Sequence, residues 1–394
     1  MASALQNTLA APHVPRNTMT EPERLEGVVA RHWHGLEDGR IQCDVCPRYC
    51  KLGAGQRGLC FVRARQDDRI VLTTYGRSSG FCVDPIEKKP LNHYLPGTPV
   101  LSFGTAGCNL TCKFCQNWDI SKARELDRLQ DRATPEDIVR AAITTDARSI
   151  AYTYNDPVIF LEYAVDVAKV ARERGIKNVA VTAGYIAAAA REELFRAMDA
   201  ANVDLKAFSE EFYKRLCTGR LAAVLETLEY LQRETTVWLE ITTLLIPGFN
   251  DGAEEVKKLS EWVITKLGPD VPVHFTAFHP DYKMTNLPPT PRGTLRMARD
   301  IARQVGLHFV YTGNVNDERG QSTYCPGCGE RLIGRDWYQI TRWRLTQTGR
   351  CAGCGMAIPG LFEATPGNWG QRRLPLRISE QARGSIGAPT GTGR

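Results

Sequence analysis

The chain has 394 residues, which is enough for one domain of roughly 200 to 250 residues together with smaller modules. Its 43% hydrophobic and 24% charged residues are those of an ordinary globular protein, and no apolar run approaches the ~20 residues of a membrane span, so we expect no membrane protein. The formal charge of +6 is carried by scattered basic residues, which argues against a nucleic-acid partner.

The two ends of the chain, residues 1–38 and 366–394, are predicted to be disordered or weakly ordered tails. The first stretch, MASALQNTLAAPHVPRNTMT, lacks the basic start and the continuous apolar segment of a secretory signal. The last stretch, from Gln381 to Arg394, is rich in Gly, Ser, Thr and Arg, a composition typical of disorder. We therefore expect a cytoplasmic protein.

Thirteen cysteines are many for that compartment, where thiols stay reduced and disulfides are rare. Eleven of the thirteen fall into three groups, so the spacing within each group should explain them. Cys82 and Cys217 stand alone and are predicted to be small buried hydrophobic residues.

The first cysteine group lies in an N-terminal module which, with a lead-in segment, we assign to residues 39–98. This N-terminal quartet consists of Cys43, Cys46, Cys50 and Cys60. Such a small module cannot build a sufficient core, so a metal site would supply much of its stability. The spacing fits zinc, which we favour, or an auxiliary iron–sulfur cluster.

Residues 99–318 alternate short apolar strands with helical patterns, which is typical of βαβ units. One helix is predicted to begin at Thr134 and Pro135, and a second is predicted to end at Gly175. Six or seven such units predict an α/β fold, a partial (β/α) barrel. Strands are predicted at residues 99–103, 149–154, 178–182, 203–208, 237–245, 271–278 and 307–312.

The second cysteine group, CNLTCKFC, follows the first predicted barrel strand. This cysteine trio consists of Cys108, Cys112 and Cys115. A loop after a barrel strand lies at the C-terminal face, where barrel enzymes place their chemistry. Three thiolates on one looping segment can surround one face of a cubic 4Fe–4S cluster, which leaves one iron without a cysteine. The alternative is a structural zinc site completed by a distant His or Asp, although zinc sites usually assemble from two separated pairs.

The third cysteine group, in a module at residues 319–365, consists of two CxxC knuckles. This C-terminal quartet is Cys325, Cys328, Cys351 and Cys354. Paired knuckles at this spacing predict a zinc-ribbon-like module with tetrahedral thiolate ligation.

A CxxxCxxC loop after the first strand of such a barrel resembles the hallmark of the radical S-adenosylmethionine (radical SAM) superfamily. Further stretches resemble the radical SAM member of the AmmeMemoRadiSam system, related to glycyl-radical activating enzymes. They are CxxCPRxC, DPIEKKPLNHYLPG, CQNWDIS, YTYNDP and the paired CxxCG knuckles. The resemblance implies a 4Fe–4S cluster on the cysteine trio, whose open iron binds S-adenosylmethionine and whose electron cleaves it to a 5'-deoxyadenosyl radical.

Strand alternation in VDLKAF places Asp204 and Lys206 on one face, predicted to be the barrel interior. Because buried charges are costly, a pair there is a candidate for function. The stretch is also similar to the DLK strand of pyruvate formate-lyase activating enzyme, which implies positions near the cofactor and, for Lys206, a catalytic role.

Four more residues enter as cofactor-binding candidates through the resemblance. Phe114 matches the aromatic residue near the adenine. Asn155 and Asp156 stand where the superfamily often has a Gly-Gly-Glu stretch that receives the methionine amino group. His279 resembles a cofactor-contacting histidine of the activating enzymes, whereas a lone histidine at a strand end is more often solvated or capped.

The resemblance implies an enzyme that uses a flavodoxin- or ferredoxin-type electron donor. Two functions remain open: an enzyme acting on a protein or peptide partner, with Memo-like and AMMECR-like companions, or an activator that installs a glycyl radical in another enzyme. A zinc-ribbon adaptor without catalysis is the third alternative.

Overall fold

The computed structural model describes residues 26–123 and 131–378, and the remainder of both predicted tails lies outside these residues. Residues 26–38 were predicted to belong to the N-terminal tail, but they contain two short strands, because Val28 and Val29 pair with a strand of the N-terminal module. In chain order the strands of this region are β1 (Val28–Val29), β2 (Trp33–Gly35), β3 (Ile41–Cys43), β4 (Lys51–Leu52), β5 (Arg63–Gln66), β6 (Arg69–Leu72), β7 (Arg77–Ser78) and β8 (Phe81–Pro85).

The central region alternates strands and helices as the hydrophobic pattern predicts. Its strands are β9 (Pro99–Phe103), β10 (Asp131–Arg132), β11 (Ser149–Tyr152), β12 (Lys177–Thr182), β13 (Ala200–Asp204), β14 (Trp238–Leu245), β15 (Val273–Ala277) and β16 (Val310–Gly313). Its helices are α1 (Trp118–Ser121), α2 (Pro135–Thr144), α3 (Leu161–Glu173), α4 (Ala188–Arg196), α5 (Glu210–Phe212), α6 (Leu221–Glu234), α7 (Ala253–Lys266) and α8 (Arg292–Val305).

The C-terminal region adds a small three-stranded sheet and one strand that returns to the main sheet. Leu374–Leu376 pairs antiparallel with β8, so part of the predicted C-terminal tail belongs to the folded unit. The elements are α9 (Glu318–Gln321), β17 (Thr323–Tyr324), β18 (Arg331–Asp336), β19 (Gln339–Trp343) and β20 (Leu374–Leu376).

Seven parallel strands form the main sheet, in the order β9, β11, β12, β13, β14, β15 and β16. The antiparallel strands β8 and β20 extend it beyond β9. Among the described residues β16 pairs with β15 alone, so the sheet is open there. This large, mostly parallel sheet confirms the predicted α/β fold and is consistent with a partial barrel.

The predicted helix starts and stops follow local chemistry. The Thr134 side chain accepts a hydrogen bond from the Asp137 backbone N–H, and the Asp137 carboxylate accepts one from the Thr134 backbone N–H, a capping box that begins α2. Gly175, just after α3, has φ +72°, the left-handed conformation that ends many helices. The predicted second helix begins as a 3-10 turn at Pro157–Phe160 before α3.

The fourth barrel strand differs from the prediction of residues 203–208, because β13 ends at Asp204. Beyond it, the Leu205 N–H donates to the Val203 carbonyl, and the Lys206 N–H donates to the Tyr213 hydroxyl at 3.0 Å. These donors are therefore turned away from the sheet ladder. Within the described residues, no helix has the length and apolar content needed to cross a membrane.

Candidate active site

The cysteine trio lies on the loop that leaves β9 at the carboxyl ends of the parallel strands. The Asn155 side chain, just after β11, fastens this loop. Its Oδ1 accepts a hydrogen bond from the Thr105 N–H at 3.2 Å, and its Nδ2 donates to the Gly107 carbonyl at 3.0 Å. The loop passes so close to the next strand that a Cβ on Gly104 would lie 2.4 Å from the Thr153 carbonyl oxygen. Asn155 therefore positions the loop in addition to lining the cavity beside it.

All three side chains of the trio line one cavity of about 390 Å³. Cys112 is buried, and Cys108 and Cys115 are half-buried. The Leu110 N–H lies 3.5 Å from Cys108 Sγ, and the Ser121 hydroxyl lies 3.0 Å from Cys115 Sγ. No other cysteine among the described residues lines this cavity. The donor set is three sulfurs that face a shared space, without a fourth.

The acidity of the three thiols differs with their surroundings. A hydrogen bond from buried Cys217 and the nearby ammonium group of Lys206 outweigh burial and lower the pKa of the Cys112 thiol to about 6. Burial raises the pKa of the Cys108 thiol to about 12 and also raises that of Cys115. Metal binding requires cysteine ligands to lose their proton. Because its pKa is lowered, Cys112 is the member of the trio that forms the thiolate most readily.

An ion pair lines the same cavity. Lys206 Nζ lies 2.9 Å from Asp204 Oδ2, and the Lys206 side chain is only 13% exposed. The same ammonium group lies 6.0 Å from the centre of the Phe114 ring, within cation–π range. Burial disfavours the charged lysine, but the Asp204 carboxylate and the neighbouring thiols outweigh it, so the pKa of Lys206 is raised well above its usual value. Lys206 therefore stays cationic inside the cavity.

Asp156 also lines the cavity, but its oxygens already have partners. Oδ1 accepts hydrogen bonds from the Val158 N–H at 3.1 Å and the Thr182 hydroxyl at 2.9 Å, and Oδ2 accepts one from the Ala183 N–H at 3.0 Å. Burial raises the pKa of Asp156 in spite of these bonds. The residue ties the end of β11 to the end of β12, next to the trio.

His279 is the one predicted cofactor-binding residue that the structure does not bring to the cavity. It is exposed and follows β15 by two positions, and its ring nitrogen lies 3.5 Å from the Pro280 carbonyl oxygen. The other eight predicted positions at the barrel mouth line the cavity together: Cys108, Cys112, Phe114, Cys115, Asn155, Asp156, Asp204 and Lys206.

Two lysines and a tyrosine that the sequence did not single out also line the cavity. Lys88 and Lys89 belong to DPIEKKPLNHY and both bind the buried Asp84 carboxylate, at 3.0 and 2.9 Å. Burial favours the neutral acid, but these ammonium groups outweigh it and lower the pKa of Asp84 to about 2. Tyr338 reaches the cavity from the turn between β18 and β19. The sequence signal available for Lys88 and Lys89 was their place in DPIEKKPLNHYLPG, one of the stretches that carry the resemblance.

The C-terminal quartet can hold a metal ion. The four sulfurs all lie within 4.8 Å of one another, with Cys325 and Cys354 at 3.5 Å and Cys328 and Cys351 at 3.6 Å. The Gly353 N–H points to Cys351 Sγ at 3.3 Å, as backbone amides do around metal-bound sulfur. The quartet lies in the module that contributes Tyr338, so a metal there would stabilise one edge of the cavity.

Comparison with known proteins agrees with this geometry. The family model for the radical SAM superfamily matches residues 103–263, which begin at the end of β9 and include the trio, Asn155 and the Asp204–Lys206 pair. The chain is 40% identical over 332 residues to the uncharacterized protein MJ0808 of Methanocaldococcus jannaschii, covering 84% of this chain and 98% of that protein.

A more distant relative is the pyruvate formate-lyase-activating enzyme of Clostridium pasteurianum, 23% identical over 163 residues, covering 39% of this chain and 65% of that enzyme. Among solved structures, a radical SAM methyltransferase from Sphaerobacter thermophilus is 14% identical, covers 73% of this chain and 76% of that chain, and has a TM-score of 0.45. The family model spans the cysteine loop and most of the strands around the cavity, so this part of the chain is similar to the radical SAM superfamily.

Proposed function

We propose that this chain is a radical SAM enzyme in which the cysteine trio holds a 4Fe–4S cluster and the cavity binds S-adenosylmethionine. The cluster and S-adenosylmethionine together supply a 5'-deoxyadenosyl radical that abstracts hydrogen from a substrate. The observation that carries the proposal is the donor set: three cysteine sulfurs from one loop face a cavity of about 390 Å³ that no fourth cysteine among the described residues lines. Such a set fits a cluster with one iron left open.

Other residues that line the cavity suit a zwitterionic ligand that also carries a positively charged centre. Phe114 offers an aromatic face at the trio, and Asp204 offers a carboxylate that is 38% exposed. Lys206 holds that carboxylate in place at 2.9 Å and brings a cation that can meet a ligand carboxylate. We propose that Phe114, Asn155, Asp156, Asp204 and Lys206 line the bound cofactor, with Lys206 the residue beside the reacting centre.

We propose a protein or peptide as the substrate, with a flavodoxin or ferredoxin as the electron donor. Support comes from the similarity to an activating enzyme, a class that acts on another protein. Activation of a glycyl-radical enzyme is the second candidate, favoured by the same similarity. The AmmeMemoRadiSam assignment and Memo-like or AMMECR-like companions rest on the shared sequence stretches.

The C-terminal quartet is proposed to hold structural zinc. Sulfur separations of 3.5 and 3.6 Å are close to the edge of a tetrahedron with zinc–sulfur bonds of about 2.3 Å. An adaptor role for this module without catalysis would leave the trio unexplained, so catalysis is the better-supported function.

The test is reductive cleavage of S-adenosylmethionine by anaerobically reconstituted protein with dithionite as reductant. We expect 5'-deoxyadenosine from the wild type and none from the variant in which all three residues of the trio are replaced with alanine. Cys82→Ala, a buried cysteine in β8 outside the three groups, is the matched control and should keep the activity. Cleavage that persists in the trio variant would overturn the proposal.

Two partner assays separate the candidate functions. A glycyl-radical signal in electron paramagnetic resonance after incubation with pyruvate formate-lyase would favour the activator. Pull-down of Memo-like or AMMECR-like proteins, with 5'-deoxyadenosine formation that depends on them, would favour the system enzyme.

A further inference from the structure

Lys88 and Lys89 place two cations side by side on the wall of the active-site cavity. Lys88 ends a 3-10 turn that directly follows β8, and Lys89 is the next residue. Lys88 Nζ lies 3.0 Å from Asp84 Oδ1, and Lys89 Nζ lies 2.9 Å from Asp84 Oδ2. One fully buried carboxylate therefore holds two ammonium groups, one on each of its oxygens.

The charges around Asp84 do not balance. Two lysines share this one carboxylate, so one positive charge remains. Arg373, which precedes β20, adds a cation nearby, since a hydrogen bond with Cys82 and the Asp84 carboxylate raise the pKa of its guanidinium group. The buried carboxylate of Glu87 lies 3.6 Å from the guanidinium group of Arg335, so that pair adds no net charge. The wall of the cavity at Asp84 therefore carries an excess of positive charge.

Both ammonium groups also have donors to spare. A lysine carries three N–H donors, and within residues 26–123 and 131–378 each Nζ atom has the Asp84 carboxylate as its only hydrogen-bond partner. The Lys89 side chain is 3% exposed, and burial lowers its pKa although the carboxylate opposes this effect. The Lys88 side chain is 37% exposed, so an incoming ligand can reach it. An anionic ligand would offset the cost of burying a charge whose donors are unused.

Tyr338 adds a hydroxyl group to the same part of the cavity. Burial raises the pKa of Tyr338, and the nearby Asp84 carboxylate raises it further, so the phenol stays protonated and can donate a hydrogen bond. No described residue is a hydrogen-bond partner of this hydroxyl. The hydroxyl of Tyr154, by contrast, already donates to Asp84 Oδ2 at 3.1 Å. Tyr338 is therefore the free neutral donor beside the two lysines.

We infer that Lys88, Lys89 and Tyr338 form a subsite for an oxyanion of the substrate, a carboxylate or a phosphoryl group. Both groups present oxygen acceptors to ammonium and hydroxyl donors, and the charge of either group strengthens these bonds. The inference rests on the proposed function and deepens it, because it requires the protein or peptide substrate to present an acidic group at the cavity.

S-adenosylmethionine is the other source of a carboxylate in this cavity. The residues proposed for the cofactor come from the loops after β9, β11 and β13, whereas the subsite comes from the turn after β8 and from the C-terminal module. The two sets of residues thus belong to different parts of the cavity wall. We therefore expect the subsite to stay available when S-adenosylmethionine is bound.

The test is anion binding by the anaerobically reconstituted full chain, measured by isothermal titration calorimetry in chloride-free buffer. Inorganic phosphate and glutarate are the probes, each titrated with and without saturating S-adenosylmethionine. We expect the wild type to bind at least one probe under both conditions and Lys88→Met to bind it about tenfold more weakly. Tighter binding of phosphate would identify a phosphoryl group, and tighter binding of glutarate a carboxylate.

Two further variants show whether charge or folding causes the loss. Lys88→Arg keeps the positive charge and should keep most of the affinity. Lys258→Met removes an exposed lysine from α7 and is the matched control, which should bind as the wild type does. Equal affinities of the wild type and Lys88→Met, or no binding of either probe, would overturn the inference.

The competing sources are separated by the arm with S-adenosylmethionine. Loss of anion binding when the cofactor is present would assign the two lysines to the cofactor and overturn the inference. The two proposals also fail separately. Anion binding by the variant with the trio replaced by alanine measures the subsite without radical chemistry, whereas formation of 5'-deoxyadenosine by the wild type measures the radical chemistry alone.

Discussion

Gly107 packs against the carbonyl oxygen of Cys60, so closely that a Cβ on Gly107 would lie 2.0 Å from it. This contact joins the loop of the cysteine trio to the N-terminal quartet. Gly107 also has φ +83°, a conformation that side chains other than glycine adopt with strain. The two cysteine sites therefore depend on one glycine for their mutual placement.

Gly107→Ala should disturb both sites at once. Backbone strain and the clash with Cys60 together should cost at least about 2 kcal/mol and reduce the iron bound after reconstitution. Thermal unfolding and iron content measure the effect. The matched control is Gly39→Ala, because Gly39 has φ +77° but no atom within 4 Å of the added Cβ. This variant should lose only the smaller amount of stability that backbone strain alone accounts for. Equal effects of the two substitutions would show that the contact is unimportant.

Asn155→Ala should loosen the loop of the trio. The substitution leaves the Thr105 N–H and the Gly107 carbonyl without their partner, at a cost of about 1 to 3 kcal/mol. We expect a chelator to remove iron from the reconstituted variant about tenfold faster than from the wild type, since about 1.4 kcal/mol corresponds to a factor of ten. Asn155→Asp keeps the acceptor and loses the donor, so it should be intermediate. An unchanged rate of iron removal from the alanine variant would show that the Asn155 side chain does not stabilise the loop.

Asp84→Asn should destabilise the protein near neutral pH, because Lys89 is only 3% exposed and would lose its carboxylate partner. We expect a cost of about 3 to 5 kcal/mol, partly recovered in Asp84→Asn/Lys89→Met, which removes both charges. Thermal unfolding midpoints at pH 7 provide the measurement. A double variant less stable than the single one would contradict the explanation.

The same residue predicts a pH dependence. The pKa of Asp84 is lowered to about 2 in the folded protein, below about 3.9 in the unfolded chain, so its contribution is complete above about pH 5. That contribution, about 2 to 3 kcal/mol, is lost as the pH falls from about 5 through about 2. The stability difference between wild type and Asp84→Asn should therefore shrink from pH 5 towards pH 2. A difference that stays constant over that range would rule out the ion pair as its source.

Removing one ligand of the C-terminal quartet should release one metal ion without affecting the trio. Cys328 is exposed, so Cys328→Ser should lower the zinc content by about one ion per chain and leave the iron content unchanged. Loss of the metal should also expose the module at residues 319–365 to limited proteolysis, because the small sheet has few other supports. Cys82→Ser is the control for cysteine loss. Full zinc content in Cys328→Ser would refute the assignment of this ligand.

Much of the fold was predictable because each buried parallel strand is a short run of apolar residues that is bounded by turn-forming residues. The strand predicted at 99–103 is β9 as the structure has it, and the capping residues of α2 lie where Thr134 and Pro135 predict. The prediction was wrong at the end of β13, because a hydroxyl seven residues further along the chain captures the Lys206 N–H. Alternation alone cannot show that a backbone donor leaves the ladder for a side chain.

The same limit applies to the site. Cys108, Cys112 and Cys115 are close in the sequence, so their joint use was visible from their spacing. Lys88, Lys89 and Tyr338 lie at the cavity because β8 pairs with β9 and because the C-terminal module packs against the barrel, relationships that no local pattern encodes.

The sequence by itself determined the order of the barrel strands, the grouping of the cysteines and the presence of three thiols, without a fourth, in the CNLTCKFC loop. These features depend on the local periodicity of hydrophobic residues and on the spacing of ligand residues, and both are visible in the sequence. The tertiary structure alone decided that His279 lies away from the cavity and that Asn155 fastens the trio's loop. It also decided that the four sulfurs of the C-terminal quartet lie within 4.8 Å of one another. Distances between residues far apart in sequence arise only when packing brings their backbones together.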